Sequence, residues 1–310
     1  MARLANIPAL DRRAVLGGLG IGLIGSASAA APLAAPEIGV QLWTLDSELR
    51  ADLDGTLARL RGLGVRVVET AGLMGLSASQ FRAALSRAEI SCAACHSSQA
   101  MLERDLERQV EDAVVLGARH LVCSSPNPQT PARSGVDWAQ GLAEAMTLSD
   151  WQRTAETLNR TGLACSSAGL RAAYHNHGFE FARYDGREGL DVLVQSTDAA
   201  LIDFELDVGW TFAGGADPVE TMTRLGPRLA LLHLKNVQPA EAGRWRSGPV
   251  ADGSIDWRSV MTAAAAQGVR VAFVEQDPPF DRPPLEGLRS SLTYLRASTG
   301  PDTRFHESQR

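Results

Sequence analysis

Two histidines in Tyr174-His175-Asn176-His177, an aspartate in Leu206-Asp207-Val208-Gly209-Trp210, His233 in His233-Leu234-Lys235 and Glu275 after Val271-Ala272-Phe273-Val274 are residue types that ligate divalent cations. Each stands at the end of a run that reads as a β-strand. Spread over about 100 residues, they can meet only if successive strand ends are gathered around one axis. A (β/α)8 barrel does this, because its active site is built from the carboxyl ends of the strands. A cation held there polarises a carbonyl and acidifies the groups beside it.

The strands that must carry these groups set further limits. Asp203, Glu205 and Asp207 alternate with Phe204, Leu206 and Val208, which places three carboxylates on one face. Burying three unpaired carboxylates is costly, so at least one must meet a cation, a proton or solvent. Asp207, nearest the carboxyl end, is the ligand candidate; Asp203 and Glu205 are expected to face helices near the rim or to join hydrogen bonds. His233 closes an apolar strand between the strands of Asp207 and Glu275, which favours ligation over a satisfied core histidine. Lys235, two residues on, either holds a substrate oxygen, carries a proton once a nearby cation lowers its pKa, or pairs with a rim carboxylate. Glu275 needs compensation by a metal or by a buried salt bridge. In the fifth strand His175 and His177 share one face, Tyr174 and Asn176 the other, and Glu180 follows closely.

Weaker candidates end other strands. Trp43 and Trp210 suit the apolar face of a sugar ring, or simple packing. Glu69, His96 and Asn176 are candidate partners of substrate hydroxyls. Gln41 is a further strand-end group, and neither His120 nor His306 is assigned a role.

Short apolar runs alternate with amphipathic stretches from residue 37 almost to the end, predicting a parallel sheet covered by helices. Eight strands are expected at 37–42, 65–69, 90–95, 120–124, 170–175, 201–207, 229–234 and 270–275, and the α/β class is a single (β/α)8 TIM barrel over 37–298. Leu49, Leu53, Leu57 and Leu60, and Leu285, Leu288, Leu292 and Leu295, form core-facing helical stripes. A helix near 102–116 opens after Ser97-Ser98 and stops at Gly117. The connections from Ser124 to Asp137 and from Asn236 to Ile255 are long and follow strand carboxyl ends, as a lid or substrate rim would. Residues 299–310 read as a disordered polar tail.

Asp11-Arg12-Arg13, the apolar run Ala14–Ile24 and the small residues Ala27-Ser28-Ala29 read as a twin-arginine export signal over 1–29. The apolar run is shorter than the roughly 20 residues of a spanning helix, so no stable membrane anchor is expected. The predicted destination is the periplasm or another exported location, reached through the twin-arginine machinery. Three of 30 basic and one of 36 acidic residues lie in that segment, leaving 27 against 35. That acidic balance argues against a nucleic-acid partner and suits a small neutral ligand. Four cysteines are too few for a disulfide framework. Cys92 and Cys95, three apart in a strand, are expected on opposite faces and hence as packed thiols rather than a zinc pair. Homo-oligomerisation through barrel helices is open.

These residues carry a resemblance. From Val40-Gln41-Leu42-Trp43-Thr44 through Tyr174-His175-Asn176-His177-Gly178-Phe179-Glu180-Phe181, Leu206-Asp207-Val208-Gly209-Trp210, His233-Leu234-Lys235-Asn236, Gly253-Ser254-Ile255-Asp256-Trp257 and Val274-Glu275-Gln276, the chain resembles the sugar phosphate isomerase/epimerase family of xylose isomerase-like TIM barrels. The resemblance implies one divalent metal held by His175, Asp207, His233 and Glu275. Many ketose epimerases of the family have Glu at the strand-five position; here it is His175, with Glu180 as an alternative ligand and His177 as a rival. The implied activity is isomerisation or epimerisation of a sugar or keto-sugar, with Glu275 and His175 or His177 as bases and Lys235 assisting. A lyase or dehydratase acting on 3-keto-glycosides by β-elimination, and a non-catalytic sugar binder, are the alternatives. The mixed imidazole and carboxylate set suits Mn, Co, Fe or Zn.

Overall fold

The apolar runs form strands whose ends fall within two residues of the expected positions: β1 Glu37–Gln41, β2 Val67–Ala71, β3 Ser91–Ser97, β4 His120–Cys123, β5 Arg171–His175, β6 Ile202–Asp207, β7 Leu229–Leu234 and β8 Val271–Val274. In this computed structural model the described residues are 35–133, 135–240, 245–253 and 255–299. The expected export signal at 1–29 and nearly all of the expected tail lie outside them. Each strand pairs in parallel with its sequence neighbours and β1 closes on β8, giving an eight-stranded barrel. The long connection after β7 carries an antiparallel hairpin, Asn236–Pro239 with Trp245–Gly248. Among the described residues no helix is long and apolar enough to cross a membrane.

Helices form where stripes and caps coincide. The first leucine stripe is divided between Asp46–Ala51 and Leu53–Gly62, because Asp52 leaves helical geometry and accepts the Gly55 N–H as an N-cap. Helix Gln99–Leu116 starts at Ser98 and stops at Gly117, whose φ of 78° is left-handed. The last helix, Pro284–Thr299, buries Leu288, Leu292 and Leu295. A separate apolar layer, Val67, Ala94, Val122, Ala173, Leu231 and Phe273, plugs the barrel interior. Gly39 makes room for it, since a Cβ there would lie 2.6 Å from the Val67 carbonyl oxygen and 2.9 Å from the Phe273 ring.

Two register shifts matter for the site. Between β2 and β3, Val68 pairs with Cys92 but Glu69 with Ala94, so Ala93 is an extra residue. This corrects the expectation for the cysteines: their sulfurs lie 3.7 Å apart, both buried and both free. Strict alternation failed because the bulge inserts one residue between them. A second shift lies opposite Phe204 and Glu205, which pair with Leu229 and Leu231, so Ala230 on β7 is the extra residue. Of the two expectations for Asp203 and Glu205, hydrogen bonding is the one found.

Asp203 neutralises the amino-terminal end of the barrel. It accepts from Arg171 Nε at 2.9 Å and Nη2 at 2.5 Å, and lies 3.4 Å from His120 Nε2. Burial pushes its pKa up, but the Arg171 and His120 hydrogen bonds outweigh burial and hold it below its ordinary 3.8. Its contribution to stability is therefore complete above 3.8 and is lost as pH falls through the lower folded value. Because the Arg171 side chain is 42% exposed, solvent screens the pair, and Asp203→Asn is expected to cost about 1–3 kcal/mol at pH 7. Urea unfolding at pH 7 and stepwise below 3.8 checks this. The difference from the unsubstituted chain should close on acidification, and a constant difference would refute the assignment.

Candidate metal centre

Asp207 ends β6 and caps helix Val208–Ala213, so its two oxygens have different fates. Oδ1 accepts the Trp210 N–H at 2.8 Å, while the Asp207 N–H donates to Asn176 Oδ1 at 3.0 Å. Oδ2 is buried and makes no hydrogen bond, although Lys235 Nζ is 3.2 Å away and His233 Nδ1 is 3.9 Å away. The helix can start this close to β7 only because residue 209 is glycine: a Cβ there would lie 2.4 Å from the Lys235 carbonyl oxygen.

His233 is fully buried between two carboxylates, with Nδ1 2.8 Å from Glu275 Oε2 and Nε2 2.6 Å from Glu69 Oε2. Together with His175, these groups converge: one donor atom each from His175, Asp207, His233 and Glu275 lie within 4.8 Å of one another. Two donors about 2.1 Å from a shared ion stand at most about 4.2 Å apart, so small adjustments would close the set. A bare buried carboxylate oxygen beside imidazoles requires compensation, and a cation supplies it. The residues thus fit the divalent metal that the resemblance implies.

The electrostatics separate the roles. Burial and the neighbouring His233 hold His175 well below the usual histidine range, so it is neutral with a lone pair available. Burial lowers the His233 pKa, but Glu205 and Glu275 outweigh it and raise it strongly. Burial raises that of Glu275, yet Lys235 and His233 bring it well below the carboxylate range. Asp207 is raised by burial, which Lys235 and His233 only partly offset. For Lys235 burial acts downward, but Asp207, Asp277 and Glu275 raise it well above its ordinary value. Of the readings open for Lys235, the ion pair with a rim carboxylate is the one present: its ammonium lies 2.6 Å from Asp277 Oδ2 and 2.8 Å from Glu275 Oε2.

Other candidates lie elsewhere. Glu180 is buried and turned away from the four donors: Oε1 accepts from Tyr174 Oη and Oε2 from the His177 N–H, each at 2.8 Å. It anchors the turn after β5. His177 is outside the four-donor set, its ring stacked on Phe179 and in edge contact with Trp138. Asn176 is used internally, by the Asp207 N–H, the His177 carbonyl and Thr211, so it orients the ligand loop rather than a substrate. Glu69 is fully buried, bonded to Gln41 and His233, and His96 Nε2 bonds Glu205. Both groups are thus engaged with other side chains of the site. Trp43 is 46% exposed just after β1, and the Trp210 ring lies 5.2 Å from Lys235 Nζ. Sequence reasoning missed Asp277, which lies past the strand, and Trp138, which is 52% exposed beside His177. It also underweighted Glu205, although the inward alternation of Asp203, Glu205 and Asp207 was the available signal.

Comparison with known proteins agrees with this architecture. An inosose dehydratase from Clostridium botulinum (strain Alaska E43) is 25% identical over 164 residues, 47% of this chain and 54% of the relative. The chain spans about half or less of the length of the curated relatives it matches. A sugar phosphate isomerase/epimerase structure from Parabacteroides distasonis superposes with a TM-score of 0.68 at 23% identity, covering 89% of this chain and 96% of that one. A 3-keto-D-glucoside 4-epimerase from E. coli gives 0.59 at 14% identity, covering 84% and 99%; at such identities both likenesses speak to the fold. The family model for xylose isomerase-like TIM barrels matches residues 39–298, and the chain belongs to that family.

Proposed function

We propose that the protein is a divalent-metal-dependent isomerase or epimerase that moves a proton next to the carbonyl of a sugar or keto-sugar. The observation that carries this reading is the convergence of His175, Asp207, His233 and Glu275 beside the buried Lys235 ammonium. Bound there, a Mn, Co, Fe or Zn ion would supply Lewis acidity to adjacent substrate oxygens. Glu275 is ionised at neutral pH and is the first candidate base. Lys235 sits where a developing oxyanion needs a fixed positive charge. His177 stands at the end of β5, three strands round the ring from β8, and is the candidate to exchange a proton on the other side of the substrate. Trp43 and Trp210 offer ring faces at the mouth.

The likeness to inosose dehydratases supports a second reading. If a leaving group is β to the carbonyl, the same proton removal by Glu275 ends in elimination, making the enzyme a dehydratase or a lyase of 3-keto-glycosides. The Asp11-Arg12-Arg13 leader supports placing this chemistry outside the cytoplasm.

Incubation with keto-sugars in heavy water separates these outcomes. Isomerisation or epimerisation should give an isomeric sugar of unchanged formula apart from solvent deuterium on carbon, whereas elimination should yield a product lighter by water or by the aglycone. Chelation should abolish exchange, and Mn, Co, Fe or Zn should restore it; exchange unaffected by chelation would sink the metal-dependent reading.

Glu275→Gln is expected to lower kcat by about 10²–10⁴-fold in a protein that still folds but unfolds at a lower temperature, since His233 and Lys235 lose their shared carboxylate. A variant that still exchanges protons at the original rate would remove Glu275 as the base. Unchanged sugar binding, with no turnover in either protein, would favour a binding role.

A further inference from the structure

Beside the four donors of the candidate centre, and reaching one inward position further down β6 at Glu205, lies a second group whose own members, His96 and Glu205, the proposed chemistry does not use. One donor atom each from His96, His175, Glu205 and His233 lie within 4.8 Å of one another inside the barrel. Glu205 Oε2 is 2.8 Å from His96 Nε2, 3.2 Å from His175 Nδ1 and 3.2 Å from His233 Nε2. Glu69 Oε2 lies alongside, 3.2 Å from His96 Nε2 and 2.6 Å from His233 Nε2.

Hydrogen bonding alone accounts for this layer poorly. Three ring nitrogens crowd one carboxylate oxygen, which has only about two lone pairs to offer. Meanwhile Glu205 Oε1, Glu69 Oε1 and His175 Nδ1 are buried without hydrogen-bond partners. Leaving two carboxylate oxygens bare while crowding a third, with His175 Nδ1 close to it but not hydrogen-bonded, is an expensive arrangement for a closed network. The spacing instead resembles a coordination sphere, since donors about 2.1 Å from a shared ion stand roughly 3–3.5 Å apart.

We propose that this deeper layer is a cation site in its own right, with His96 and Glu205 as its own ligands and His175 and His233 common to both layers. The His233 ring can serve either layer through a different nitrogen, Nδ1 toward Glu275 and Nε2 toward Glu69 and Glu205. Three imidazoles and a carboxylate select a first-row transition ion over Mg or Ca. The site goes beyond the proposed activity and does not depend on it.

Cobalt(II) titration of the metal-free full chain tests this, read by elemental analysis after dialysis and by the visible ligand-field spectrum. The double variant Asp207→Asn, Glu275→Gln removes the two ligands found only in the upper layer. It is expected to retain about one equivalent of cobalt with an imidazole-rich spectrum. Adding Glu205→Gln or His96→Gln should remove that ion or weaken it at least about 10-fold. Circular dichroism and thermal unfolding establish that each variant is folded, and the isosteric Glu205→Gln decides the matter if His96→Gln does not fold. A double variant that binds no cobalt overturns the deep site, as does cobalt binding indifferent to both Glu205→Gln and His96→Gln. A single equivalent lost with Asp207 and Glu275 alone leaves the proposed function standing and refutes the deep site. One lost with His96 or Glu205 alone supports the deep site and removes the upper one.

Discussion

The imidazole of His233, with no exposed surface and a carboxylate at each nitrogen, is the constraint around which the carboxyl end of the barrel is organised. Charge taken out of water is tolerable only when it is compensated at close range. Glu275 and Glu69 provide that compensation, and each has a second attachment of its own: Glu275 to Lys235, Glu69 to Gln41. The ring thus links β1, β2, β7 and β8. Moving it would uncover two carboxylates at once, which is why the strand ends around it are fixed by backbone devices as well as by packing.

Those devices are visible in the chain geometry. Asp207 can present one bare oxygen because its other oxygen is committed to capping helix Val208–Ala213 and because Asn176 holds its main chain. Gly209 allows that helix to approach the end of β7. The two register shifts occur at Glu69 and Glu205, the carboxylates that flank the histidine layer. Bulges next to active sites re-aim side chains, and here the extra residues, Ala93 and Ala230, lie on the strands that carry His96 and His233. The apolar plug of Val67, Leu231 and Phe273 lies beneath and gives the polar layer a dry floor.

How much of this was legible in the sequence depends on how local the cause is. Strand positions and the meeting of Asp207, His233, Glu275 and a strand-five histidine followed from apolar runs ending in ligand-type residues, because strand direction alone sends those ends to one face of a barrel; the choice of His175 was what the family resemblance implied. Helix Gln99–Leu116 was equally legible from its own Ser and Gly caps. The Cys92–Cys95 placement was not, since a single extra residue, Ala93, reverses the parity on which alternation rests. Glu180 stayed open as an alternative ligand for a different reason: proximity in sequence to His175 says nothing about which way a short helical turn points its side chain. For Lys235 an ion pair with a rim carboxylate was legible but its partner was not, because the position of Asp277 beyond the strand was not inferable from periodicity. Glu205 lay on a face read correctly, but its three histidine partners come from β3, β5 and β7, and no local pattern announces contacts that distant.

The balance of charge in the barrel also bears on what it can bind. Glu69, Glu205, Asp207, Glu275 and Asp277 supply five carboxyl groups, against three basic side chains, His96, His233 and Lys235, that contact them directly. His175 does not change the count, since burial keeps it neutral. A surplus of acidic groups in a low-dielectric interior draws in a divalent cation and repels anions. Ligation by His233 would also displace its proton, so even with one such ion the interior keeps little spare positive charge for a phosphate dianion. For the sugar chemistry proposed above, this charge balance favours an uncharged substrate over a phosphorylated one, and leaves selectivity to hydroxyl geometry and to the aromatic faces of Trp43, Trp138 and Trp210.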